Sequence, residues 1–165
     1  MKRLSEEQFY EKYELYAKMI YNIAYSHLKN VNHSEDVVQE VFLKYLNNFH
    51  KLESLDHEKF WLIRVTMNEA KNVLKSSWNT KVNVIEEDSY PYQDEVNEER
   101  RFFEMIYNLP DKYKTVIILF YYENLDIKEI SKVLHLSEAA VKKRLERARN
   151  ILKEEESKNE IRREN

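Results

Sequence analysis

Not one of the 165 residues in this chain is glycine, and only two are proline. Glycine is the usual residue for left-handed backbone, so its absence, together with abundant Leu, Glu, Lys, Ile and Tyr, favours helices and predicts an all-α protein. Turns must then use Asn, Asp or His wherever φ is positive. Asn30-Val31-Asn32, Asn47-Asn48, Asn124 and His135 lie where such turns are wanted. A hydrophobic share of 42% can supply real cores, and the length suits one ordinary domain or two small helical ones.

Helical periodicity divides the first half into three segments. About 5–29 carries Phe9, Tyr13, Tyr16, Ile20 and Ile23 on one stripe. About 34–48 opens on Ser34 as N-cap with Glu35 and Asp36 in the first turn, followed by Val37, Val38, Val41, Phe42 and Tyr45. About 57–76 places Phe60, Ile63, Met67, Ala70 and Leu74 on a core face. A second face of that helix sets Trp61, Arg64, Asn68, Lys71, Asn72 and Lys75 at helical spacing. An aromatic, amides and cations in one strip can stack on unpaired bases, bond base edges and neutralise phosphates. A solvated amphipathic helix with a half-buried Trp61 would show the same spacing.

Net charge is −3, but it is unevenly spread: zero over 1–78, −6 over 79–99 and +3 over 100–165. Residues 79–98 are acidic, contain Pro91 and keep no helical period, so they read as a flexible acidic linker. About 20 such residues span on the order of 25 Å as a random coil. Two further helices are expected over about 99–108 and 111–123, separated by Leu109-Pro110-Asp111. The expected domains are therefore 1–78 and 99–155, with a charged tail over 156–165 that is either solvated helix or irregular chain.

Asp126 to Lys153 reads as a helix-turn-helix. Ile127, Ile130, Val133 and Leu134 give the first helix an apolar face, and His135-Leu136 interrupt it. Ser137 is a good N-cap for the second helix, and Glu138 suits its positive dipole end. Val141, Leu145, Ala148 and Leu152 form its docking stripe, whereas Lys142, Lys143, Arg144, Arg147 and Arg149 fall largely outside it. Six basic and two acidic residues within 137–153 concentrate positive charge there. A recognition helix needs that division between a docked stripe and a cationic face.

Taken together, SEDVVQEVFLKYL and FWLIRVTMNEAKNVLK, then a linker, then LPDKYKTVIILFYYENLDIKEISKVLHLSEAAVKKRLERAR resemble ECF-type sigma factors of bacterial RNA polymerase. The resemblance covers nearly the whole chain. It implies that Asp36, Gln39, Glu40, Phe42 and Leu43 meet core RNA polymerase. Trp61, Arg64, Asn68, Lys71, Asn72 and Lys75 would face the minus-ten element, with Asn47–Asp56 in the position of the segment that receives a flipped base. Ser137, Lys142, Lys143, Arg144, Glu146 and Arg147 would meet the minus-thirty-five element; Glu146 could accept from a cytosine amine.

The chain departs from the family pattern at His135, where a turn glycine is usual, at Ser131, where a small Ala is usual, and at Ala139-Ala140, where Gly-Thr is common. Promoter DNA and bacterial core polymerase are the implied partners, an anti-sigma protein a further one, and no cofactor is implied.

Catalysis finds no support. Five scattered His form no Glu-x-x-His or His-x-x-x-His pair, a phosphate loop lacks its glycines, and without Cys neither a thiolate metal site nor a disulfide framework exists. No stretch reaches the length of a membrane span and the start lacks an apolar signal core, so a cytoplasmic protein without membrane insertion is expected. A free-standing helix-turn-helix regulator would leave the Asp36 and Asn68 faces unexplained.

Overall fold

The computed structural model describes residues 3–80 and 98–164. The chain divides into two compact units, Met1–Pro91 and Tyr92–Asn165. The described residues are mostly helical and include no strand, as expected; most of the acidic linker falls outside them.

In the first unit α1 (Glu6–Leu28), α2 (Val31–Asn48) and α3 (Leu55–Thr80) pack pairwise against one another. A capping box starts α1: Ser5 Oγ accepts the Gln8 N–H at 3.1 Å, and Gln8 Oε1 accepts the Ser5 N–H at 3.0 Å. Its buried stripe includes Tyr16, Ile20 and Ile23 as expected, whereas Phe9 is half-buried and Tyr13 exposed. All five predicted core residues of α2, Val37, Val38, Val41, Phe42 and Tyr45, are buried.

Three local expectations need correction. The cap of α2 is Asn30, not Ser34: Asn30 Oδ1 accepts the His33 N–H at 2.8 Å, and the helix begins a turn earlier. Ser34 is buried inside that turn, donating its hydroxyl to the Asn30 carbonyl at 2.6 Å. The left-handed residue before α2 is accordingly Lys29 (φ 51°), and Asn30 to Asn32 and Asn47-Asn48 take ordinary φ, although Asn124 (φ 56°) and His135 (φ 55°) do turn left-handed. Finally, the core ridge of α3 is Leu62, Ile63, Thr66 and Ala70, while Phe60, Met67 and Leu74 flank it half-buried. Thr66 tolerates full burial because its hydroxyl donates to the Leu62 carbonyl at 2.6 Å.

In the second unit α4 (Glu98–Tyr107) precedes α5 (Asp111–Ile117). The helix expected to 123 changes pitch at Ile118, where a π-helical turn, Ile118–Tyr122, closes through Glu123 N–H to the Ile118 carbonyl at 3.1 Å. Asp126 and Glu129 form a capping box for α6 (Ile127–Leu134). His135 then ends α6, with the Leu136 N–H donating to the Ser131 carbonyl at 3.0 Å. Helix α7 (Glu138–Glu164) continues through the charged tail. Ile130 and Val133 meet Val141, Leu145, Ala148 and Leu152 in a core that leaves these last four at most 8% exposed.

Candidate nucleic-acid interface

The six α3 residues singled out by spacing occupy one arc of about 100° at roughly 100° per residue. That arc lies opposite the buried ridge of Leu62, Ile63, Thr66 and Ala70. Asn68, Lys71, Asn72 and Lys75 are exposed, so their amides and ammoniums are free of the core. Trp61 and Arg64 are half-buried at the N-terminal end of the strip, where the Trp61 ring lies 6.5 Å from that of Tyr45 at 52°. The strip therefore grades from a partly seated aromatic to freely solvated donors.

The segment Asn47–Asp56 adjoins this strip. A 3-10 turn, Phe49–Lys51, leads to Ser54, whose hydroxyl accepts the His57 N–H at 3.0 Å; the Glu53 N–H donates to His57 Nδ1 at 3.3 Å. The segment turns without positive φ, which is how it dispenses with glycine.

Behind it stands a group that sequence reading missed. Glu58, only 8% exposed, accepts the Tyr45 hydroxyl at 2.9 Å and the Lys12 ammonium at 2.8 Å, tying α3 to α2 and α1. Burial first, and then bonding to Glu58 and its charge, push the Tyr16 and Tyr45 phenols well above their usual range. Both therefore remain neutral donors. Lys44 and Glu69 add a second α2–α3 link.

On α2, Asp36, Gln39, Glu40 and Leu43 are exposed on the side away from the buried stripe, and Leu43 is 57% exposed. Phe42 departs from the expected set. It is buried, with its ring 5.7 Å from Phe9, 5.0 Å from Tyr13 and 6.3 Å from Tyr45, so it supports the surface from below and cannot present itself to a partner.

In the helix-turn-helix, Ser137 Oγ accepts the Ala140 N–H at 3.1 Å, which starts α7 where expected. Lys142, Lys143, Glu146 and Arg147 are exposed and Arg144 half-buried. The Arg147 guanidinium beside the Tyr113 hydroxyl lowers that phenol below its usual range, and Lys112 Nζ lies 5.0 Å over the same ring. Arg149 donates from Nε to the Tyr121 hydroxyl at 2.7 Å. Neither tyrosine was signalled by spacing within α7, because both come from the preceding elements. Among the described residues no His, Cys, Asp and Glu cluster is arranged to hold a metal, and no helix is long and apolar enough to cross a membrane.

Comparison with known proteins places the chain in a family. Residues 13–80 match Sigma-70 region 2 and residues 99–152 match Sigma-70, region 4. The chain is 28% identical to the ECF RNA polymerase sigma factor SigW of Bacillus subtilis across 94% of this chain and 92% of that protein. It is 30% identical to SigM of the same organism across 87% and 91%. Its fold is similar to that of the sigma factor RpoE crystallised with the anti-sigma factor NepR from Bartonella quintana. That match has a TM-score of 0.74 and 21% identity, and it covers 90% of this chain and 96% of that one. CnrH in complex with the cytosolic domain of CnrY is also similar, with a TM-score of 0.66 and 20% identity over 90% and 87%. With two family regions in order and relatives matched nearly end to end, the chain belongs to the ECF sigma factors of the sigma-70 family, proteins of promoter-specific transcription initiation.

Proposed function

We propose that residues 1–78 bind core RNA polymerase and the minus-ten element, that residues 99–155 read the minus-thirty-five element, and that 79–98 joins them. The polymerase contact is the outer face of α2, with Asp36, Gln39, Glu40 and Leu43 as its members. Asn68, Lys71, Asn72 and Lys75, with Trp61 and Arg64 at one end, hold the non-template strand once it is unpaired. On duplex DNA, Ser137, Lys142, Lys143, Arg144, Glu146 and Arg147 divide into backbone and base contacts at the start of a recognition helix.

The protein acts in the cytoplasm and makes or breaks no bond itself; its contribution is geometry and strand capture. RpoE was crystallised with the anti-sigma factor NepR, and an anti-sigma protein is proposed as a further partner of this chain.

The observation that carries the reading is the α3 strip, whose exposed amides and cations lie opposite the core ridge and offer the donors that single-stranded DNA takes. Its test is a Lys71→Ala, Asn72→Ala chain assembled with core polymerase on two templates, a closed duplex promoter and the same promoter with a pre-opened bubble. A strand-capturing strip predicts initiation lost on the duplex and largely restored on the bubble. Equal activity of variant and parent on both templates would overturn it.

A further inference from the structure

Arg149 lies outside the set assigned above to the minus-thirty-five element, yet it is anchored on two aromatic residues of the preceding turn. Its Nε donates to the Tyr121 hydroxyl at 2.7 Å, and its guanidinium lies 5.7 Å from the Phe120 ring centroid and 5.6 Å from that of Tyr121. The two rings meet edge to face, 4.9 Å apart at 75°, so they form a corner rather than a flat wall. The corner exists because the π-helical turn Ile118–Tyr122 brings consecutive aromatics out beside α7, and Tyr121 is 51% exposed.

An exposed arginine normally samples many rotamers, and fixing it on binding costs conformational entropy. Here that freedom is already restricted before any ligand arrives. The bond uses Nε alone, so the outer Nη donors remain available. The Tyr121 oxygen accepts from Nε, which leaves its own O–H free to donate outward. Donors of two residues therefore converge beside one another at a solvent-facing point. Their chemistry, several N–H and O–H donors around one cation, fits a tetrahedral anionic oxygen group. Lys142 and Lys153, both exposed, stand at i−7 and i+4 from Arg149, on the same flank of α7.

We propose that Tyr121 and Arg149 form a seat for one backbone phosphate of duplex DNA. Phe120 and the Tyr121 ring act as positioning groups for the guanidinium. The seat fixes how α7 lies against the duplex and carries no sequence preference of its own. This rests on the reading of the second unit as the minus-thirty-five reader.

The test uses the full-length chain assembled with core polymerase and a duplex promoter fragment selected from a library, with dissociation constants measured across a salt series. Arg149→Ala is expected to flatten the slope of log K against log salt by about 0.9, one phosphate contact. Arg149→Lys keeps the charge and loses the fork, so the slope holds while affinity falls about tenfold. Tyr121→Phe keeps the ring and removes the hydroxyl, giving a fall of about tenfold with the slope unchanged.

Lys143→Ala serves as the comparator. If it flattens the slope while Arg149→Ala matches the parent in slope and affinity, the DNA-reading unit stands and the seat is overturned. A lower melting temperature for Arg149→Ala with an unchanged slope would make the pair a structural staple, which also overturns the seat. If the parent assembly selects no fragment at all, the reading beneath the seat fails with it.

Discussion

Replacing Glu58 by alanine should cost the first unit far more than a typical surface change. The carboxylate, 8% exposed, accepts the Tyr45 hydroxyl at 2.9 Å and the Lys12 ammonium at 2.8 Å, and it is hydrogen-bonded to Tyr16 as well. Truncation leaves two phenol hydroxyls, on residues 6% and 1% exposed, without their acceptor. A buried donor left unmade costs about 1–3 kcal/mol. The Lys12 side chain is 24% exposed and turns to water at little cost, so its loss adds roughly 0.5 kcal/mol.

The expected total is about 4 kcal/mol, on the order of 20 °C in melting temperature for a unit of this size. Both tryptophans, Trp61 and Trp78, belong to this unit, so intrinsic fluorescence follows its unfolding separately from the helix-turn-helix unit. Glu58→Gln keeps an acceptor and should lose about half as much. In a Tyr45→Phe background the cost of Glu58→Ala should shrink by about 1–2 kcal/mol, because one stranded hydroxyl is gone. A Glu58→Ala chain within about 0.5 kcal/mol of the parent would refute the network as a determinant of the fold.

The same phenols predict an alkaline weakness. Tyr16 and Tyr45 ionise near 10.0 when unfolded and well above it when folded, so above that pH the unfolded state has released protons the folded state keeps. Their contribution is complete below pH 10 and declines above it by up to about 1.4 kcal/mol per pH unit for each phenol. Melting temperatures up to about pH 11 should show a fall that Tyr45→Phe makes shallower; a pH-independent parent would contradict this. Asp36→Arg, at an exposed position, should abolish polymerase binding in a pull-down while leaving the melting temperature unchanged, and retained transcription would argue for a regulator acting without polymerase. Ala140→Thr restores a hydroxyl at the start of α7 and should raise affinity for an upstream-element duplex several-fold, about 1 kcal/mol; identical binding would show that position to be silent.

Elements whose burial follows one helical period were legible in the sequence. Val37, Val38, Val41, Phe42 and Tyr45 on α2, and Val141, Leu145, Ala148 and Leu152 on α7, are buried as their spacing implies. The α3 core face was misplaced because its ridge contains Thr66, a residue that looks polar until its hydroxyl is seen bonded to the backbone one turn back. The start of α2 was misplaced because Ser34 before two acids resembles a cap, while Asn30 already satisfies the His33 N–H. Lys29 took the left-handed turn that an asparagine was expected to take.

For the candidate surfaces, spacing found the exposed members of the α3 face, whereas the α2 set came from the family resemblance and included Phe42, which spacing had already put in the core and which is buried. Pairs between elements left no periodic trace at all. Glu58 with Lys12 and Tyr45, Arg147 with Tyr113, and Arg149 with Tyr121 join residues whose adjacency is created only by packing.

Whether the chain is a working sigma factor is settled by transcription from a promoter library by the purified chain mixed with bacterial core RNA polymerase, against core alone. Selective initiation is expected, with sequence enriched at both promoter elements. Failure to bind polymerase, with duplex DNA binding intact, would contradict it.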